Sequence, residues 1–296
     1  MQFSCQPTFA GNATRDAVDA IESGNVKQLE RYLVSGDPNA RGDNGVPLLM
    51  LAAFTGSVAM TRVLLARGAD ATAQSKSGQT ALHAAAIGGK SAVASLLLDH
   101  GAEVNARDNN GRTALHFVVL TSVANGVQAF PFPTQWMAKR TFTATPAERA
   151  GMAKVLLDRG ASVETTRKDV SLVYLAATSG DAPLLTLLID HGAEINDGHT
   201  GETPLHSAIA ERHVDIARML VDKGANVNAR NQSGRTPLHF AASLIDDPDF
   251  AELLIRHGAE VNARESKFNA TPLAFAVQKG NARVADVLRR HGGSYR

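Results

Sequence analysis

Ten histidines are the residues of this 296-residue chain whose chemistry first asks for an explanation, because imidazole can hold a metal or move protons near neutral pH. Their spacing is informative. His83, His116, His206 and His239 each close the phrase Thr-x-Leu-His, and His100, His191, His257 and His291 each stand immediately before a glycine. A metal site or a catalytic pair needs side chains that converge, whereas residues recurring at a fixed interval are spread along the chain. Only His199 and His213 fall outside both series. No G-x-S-x-G, GxxxxGK[ST], HExxH or CxxC pattern supplies a nucleophile, a phosphate loop or metal ligands. The chain is therefore expected to be no enzyme, with no catalytic residue, metal or cofactor.

Composition narrows the partners. Lys and Arg total 30 against 29 acidic residues, without the basic excess that neutralises phosphates, so nucleic acid is not an expected partner. The single cysteine, Cys5, excludes an internal disulfide. No stretch approaches the roughly 20 apolar residues of a spanning helix, so membrane insertion is not expected. The first dozen residues lack a signal pattern, which points to the cytoplasm, with the periplasm or the exterior open if a signal had been removed. A hydrophobic share of 44% is ample for a folded core.

The elements that hold the histidines recur about every 33 residues. One phrase reads GVPLLMLAA, GQTALHAAA, GRTALHFVV, DVSLVYLAA, GETPLHSAI, GRTPLHFAA and NATPLAFAV. A second, about 20 residues further on, reads LLARGADATA, LLDHGAEVNAR, LLDRGASVETT, LIDHGAEINDG, LVDKGANVNAR and LIRHGAEVNAR. This pair of phrases resembles the ankyrin repeat, and the resemblance runs from about Thr14 to the C-terminus. It implies an all-α solenoid of helix pairs joined by short β-turn or hairpin connections, and imidazoles that tie adjacent turns together.

The residues fit that fold physically. In the second copy Thr80 can cap a helix opening at Ala81, and the turn at Gly88 and Gly89 stops it. A second helix follows over Ser91–Asp99, with Val93, Leu96 and Leu97 forming one apolar stripe. Gly101 sits just past its end, where a left-handed backbone carries no Cβ penalty. Residues 1–13 read as a mobile tail, 14–41 as an N-terminal capping repeat and 42–296 as seven repeats. Residues 265–296 are the last of these, where Arg289 and Arg290 supply the polar face of a cap.

The third repeat departs from the pattern. Thr113 and Gly160 are 47 positions apart, against 21 for Thr80 and Gly101, so about 26 residues are inserted near 122–147. The insert carries Phe130, Phe132 and Trp136. It either packs back on the helices or forms an aromatic arm for a partner. Asp169 and Asn269 replace the turn glycine, Arg212 replaces an interhelical glycine, and Ile245–Asp249 adds one residue, so looser or partner-bent turns are expected there.

In the family, partners lie against the turn tips and the first helix of each repeat. The resemblance carries this onto Asp43, Asn44, Val46, Lys76, Gln79, Asn109, Asn110, Arg112, Arg167, Lys168, His199, Glu202, Gln232, Arg235, Lys267 and Phe268 at the tips. On the helices it points to Phe54, Ile87, Leu120, Glu211 and Leu244. Phe54, Ile87, Leu120, Leu244 and Phe268 are expected to form an exposed apolar series. The implied function is a non-catalytic module that binds another protein and is monomeric alone. An immunity-type inhibitor of a toxic enzyme and a secreted effector that grips a host protein are the alternatives, ahead of small-ligand or nucleic-acid binding. With 21 of 30 basic residues Arg and abundant Ala, the composition reads as that of a stand-alone bacterial protein.

Overall fold

A computed structural model describes residues 12–42, 45–123, 144–164, 170–199 and 201–295. Phe130, Phe132, Trp136, Asp43, Asn44, Arg167 and Lys168 lie outside the described residues, as does the Asp169 turn. The chain divides into two compact units, Met1–Ser162 and Val163–Arg296.

The first unit contains α1 (Asn12–Ser23), α2 (Val26–Tyr32), α3 (Leu48–Thr55), α4 (Val58–Ala66), α5 (Ala81–Ile87), α6 (Ser91–Asp99), α7 (Ala114–Leu120) and α8 (Pro146–Asp158). The second contains α9 (Leu172–Ser179), α10 (Ala182–Asp190), α11 (Pro204–Ala210), α12 (Val214–Asp222), α13 (Pro237–Leu244), α14 (Pro248–Arg256), α15 (Pro272–Lys279) and α16 (Ala282–Arg290). Among the described residues β structure is limited to the isolated bridges Arg41–Pro47 and His199–Glu202. The all-α expectation holds.

Within each unit the odd-numbered helices stack on one another and the even-numbered helices form a second layer beside them. Residue patterns explain the layering. From α3 onward the odd helices are short and mostly apolar, which suits an element enclosed by neighbours. Leu48–Phe54 of α3 and Ala81–Ile87 of α5 are buried residue by residue. The even helices bury one stripe, as with Val93, Ala94 and Leu97 of α6 or Ile216, Ala217, Leu220 and Val221 of α12. Each fully buried Leu or Ile contributes about 1.5–3 kcal/mol, and most of that burial comes from a neighbouring pair, so stacking stabilises every unit.

The helix starts follow from capping. Thr80, Thr113, Thr203 and Thr236 each form a capping box with the histidine three residues on, where Glu or Gln is the usual partner. Thr145 does the same with Glu148, its N–H donating to the carboxylate at 2.8 Å. That box starts α8 at Pro146 and makes it 13 residues long, against nine in α6. The insertion expected to run to residue 147 therefore gives way to helix two residues earlier. Ala144, just ahead of it, is buried over Gly89, where an added Cβ would come within 2.9 Å of the Ala144 methyl group. Gly89 also has φ +64°, so this turn requires glycine twice over.

At the added residue of 245–249 the turn is held by side-chain bonds instead of being loose. Asp247 caps α14 by accepting from Asp249 and Phe250 N–H, and its Oδ2 accepts from Arg218 at 2.8 Å. Asp246 accepts from Val284 N–H. The added residue is thus knitted to both neighbouring pairs. Arg212 and Asn269 do take the left-handed backbone of the glycines they replace, at φ 60° and 57°.

A second ladder joins the loops after the even helices. Asn39, Asn105, Asn228 and Asn262 each donate through Nδ2 to a glycine carbonyl of the next repeat (Gly68, Gly160, Gly258 and Gly292). Each also accepts through Oδ1 from an N–H two residues beyond that glycine, all within 2.7–2.8 Å. Thr72 holds the equivalent place after α4 and instead bonds Asp70 of its own loop.

Candidate partner-binding surface

Among the described residues each tip is a turn that closes on a glycine or on Asn269. A short polar side chain ahead of it accepts the amides that the turn leaves unpaired. Asp108 Oδ1 accepts from Asn110 and Arg112 N–H, and Asn231 Oδ1 from Ser233 and Arg235 N–H. Glu265 takes the same part with Lys267, Phe268 and Ala270 N–H. Burial opposes the charge on Glu265, but these three amides together with the Arg235 guanidinium hold its carboxyl below the ordinary range.

Neighbouring tips are bonded directly. In the first unit Asn109 N–H donates to Ser77 O at 3.0 Å and its Nδ2 to Lys76 O at 2.9 Å. In the second, Ser266 N–H donates to Ser233 O at 2.8 Å, and Asn231 Nδ2 to Glu202 Oε1 at 3.3 Å.

The buried histidines join the same framework, and their protonation follows from geometry. Thr80 N–H must donate, so Nδ1 of His83 accepts it at 3.1 Å; the proton therefore sits on Nε2, which donates to Arg112 O at 3.0 Å. His206 repeats this with Thr203 and Arg235, and His239 with Thr236 and Ala270. Burial pushes all three below the ordinary imidazole range and keeps them neutral. Phe117, Phe240 and Phe275 pack edge-on against these rings at 5.4, 5.1 and 5.6 Å.

The other histidines lie at element ends. His100, His191, His257 and His291 are exposed C-caps, where a positive charge suits the helix dipole. His213 approaches Thr178 O through Nε2 at 3.1 Å and lies against Gly180. Among the described residues no three His, Cys, Asp or Glu side chains converge as metal ligands.

The candidate residues divide by exposure. Lys76, Asn109, Asn110, His199, Glu211, Gln232, Lys267 and Phe268 are exposed, though the Asn109 amide is spent on Lys76 O. Arg112, Leu120, Glu202, Arg235 and Leu244 are half-buried. Val46, Phe54, Gln79 and Ile87 are buried, so the expected exposed apolar series reduces to Phe268, at 72% exposure, with Leu120 and Leu244 partly open. Phe54 and Ile87 lie at the C-terminal ends of runs, Leu48–Phe54 and Ala81–Ile87, that are almost wholly apolar and buried throughout. Gln79 turns inward, its side chain buried where that of Glu202 in the second unit meets Asn231.

Two features escaped the sequence reading. The Arg235 guanidinium lies 4.7 Å above the Phe275 ring, and Lys267 Nζ lies 4.9 Å from the centre of the Phe268 ring. The Arg235–Phe275 contact joins residues of different repeats, and the Lys267–Phe268 contact joins sequence neighbours whose side chains carry no motif that would foretell it.

The model of ankyrin repeats, in three copies, matches residues 49–129, 144–231 and 226–295. The chain belongs to the ankyrin repeat family. A solved structure of the ankyrin repeat domain of Bcl-3, described as a unique member of the IkappaB protein family, has the same fold, with a TM-score of 0.62. The two are 24% identical over 81% of this chain and 97% of that one. No curated protein sequence matches the chain. Ankyrin repeats are protein–protein interaction modules built on a non-catalytic scaffold. Among the described residues no helix is long and apolar enough to cross a membrane.

Proposed function

We propose that this ankyrin repeat chain holds a partner protein on the tips of its repeats and the adjoining ends of the odd helices. One observation carries the reading: the tip backbones are fixed by braces and tip-to-tip bonds, while side chains such as Lys76, Asn110, Gln232 and Phe268 stand in solvent without a part in that framework. Rigid backbone with free side chains lowers the entropy cost of association, because little must be ordered on contact. The use is non-catalytic, and inhibition of a toxic enzyme or attachment to a host protein would both employ the same surface.

Capture from the native source by wild-type protein, compared with a Lys76→Ala/Asn110→Ala variant and a Gln232→Ala/Phe268→Ala variant, tests the reading. The expected result is a partner retained by wild type and lost from at least one tip variant with unchanged thermal stability. Equal retention by both variants, with loss on substitution of exposed outer-loop residues such as Glu103 and Glu194, would move the surface elsewhere.

A further inference from the structure

The tips of the last two repeats carry two cations, Arg235 and Lys267, that make no side-chain hydrogen bond and no close ion pair among the described residues. Most basic side chains of the second unit that face a carboxylate are committed: Arg218 to Asp247, Lys223 to Asp190, Arg230 to Glu260 and Arg289 to Asp286. Arg235 lies 4.7 Å above the centre of the Phe275 ring, and its guanidinium donates no hydrogen bond to any described residue; its Nε is buried without an acceptor. Lys267 Nζ lies over the Phe268 ring. The Glu265 carboxylate attracts Arg235 through space, but the hydrogen bonds it accepts come from three amides of its own turn.

Phe268 completes the site. Its ring is 72% exposed, while its own N–H is fixed by Glu265. The side chain is therefore presented on a backbone that has already lost its freedom. The adjacent tips 233 and 266 are bonded to each other at 2.8 Å, so the guanidinium and the ring are carried on one stiff piece of chain. In the repeat just before them stand two carboxylates: burial, with Glu202 and Glu211, raises the Tyr174 hydroxyl, and Glu211 is exposed.

Resting on the function proposed above, we infer that the tips of the last two repeats receive an acidic segment of the partner that carries an apolar side chain. Its carboxylates accept from Arg235 and Lys267, a planar fork being suited to a carboxylate, and its apolar group covers Phe268. Like charge at Glu202 and Glu211 confines the acidic stretch to these two tips and gives the segment a direction.

The test uses the full chain and short fluorescein-labelled peptides of alternating glutamate and leucine, of lysine and leucine, and of glutamine and leucine, followed by anisotropy and by backbone amide shifts. The expected result is binding of the glutamate peptide alone, weakening with added salt, with shifts centred on 233–235 and 266–268. Arg235→Gln and Phe268→Ala should each weaken it about tenfold, the size of one charge-assisted or anchoring contact. Lys27→Ala, an exposed lysine outside the tips, should leave it unchanged. Arg235→Lys, which keeps the charge over Phe275 but loses the fork, should fall between wild type and Gln and guards against a folding defect. Equal binding of the lysine or glutamine peptide, shifts centred elsewhere, or no binding of the glutamate peptide would overturn the inference. If, in that case, tip variants still abolish partner capture, the proposed function stands and only the acidic partner chemistry falls.

Discussion

Acidification offers a deep test of the histidine framework. His83, His206 and His239 are neutral in the folded chain, each accepting an N–H at Nδ1 and donating from Nε2, and burial holds each below the ordinary value of 6.5. A proton on Nδ1 would face a backbone N–H that can only donate. The folded state therefore refuses protons that the unfolded chain accepts, and stability rises with pH in that interval. Their contribution is fully present above about pH 6.5 and is lost as pH falls from there toward the depressed folded values. Three such groups set a ceiling of about 4 kcal/mol per pH unit, at about 1.4 kcal/mol per proton. Urea unfolding followed by circular dichroism between neutral pH and pH 5 should show a steep loss of midpoint. His239→Gln should be less stable at neutral pH, with a slope reduced by about one proton. A flat profile across this interval, or an unchanged slope in the variant, would refute the assigned tautomers.

Three substitutions probe the backbone and the asparagine ladder. Arg212→Gly removes a side chain from a left-handed residue at φ 60°, and the urea midpoint should rise by an amount corresponding to about 1 kcal/mol. A fall would mean that the arginine side chain stabilises the turn. Asn228→Ala deletes bonds of 2.8 Å to both Gly258 O and Glu260 N, and calorimetry should record a loss of about 2 kcal/mol. Thr72→Asn introduces the missing rung toward Gly101 and Glu103 and should gain about 1 kcal/mol, with slower amide exchange at residue 103 as the specific sign. No change in that exchange would show that the loop spacing forbids the bond.

The repeat could be read from sequence because its signals are local: a threonine, a leucine and a histidine at fixed offsets, and a glycine after each even helix. The positive φ at Arg212 and Asn269 was legible for the same reason, since each stands where a glycine recurs. The asparagine ladder was written in the recurring NAR phrase, but asparagine in a loop also reads as an ordinary turn former. Its Gly-carbonyl partner lies about 30 residues away, beyond any local rule. The start of α8 was signalled by Thr145-Pro146-Ala147-Glu148, a capping box obscured by the length of the insertion preceding it. Burial of Phe54 and Ile87 was misjudged because position in the repeat was weighed above the surrounding run of apolar residues, and the run decides enclosure. The Arg235–Phe275 pair depends on side-chain reach between repeats, which no spacing encodes.

Amide hydrogen exchange with and without the captured partner tests the central claim most directly. Protection should rise at tip residues among 76–79, 109–112, 232–235 and 266–268 and stay level at the loops of Asn105, Asn228 and Asn262. Protection confined to those asparagine loops, with the tips unchanged, would contradict it.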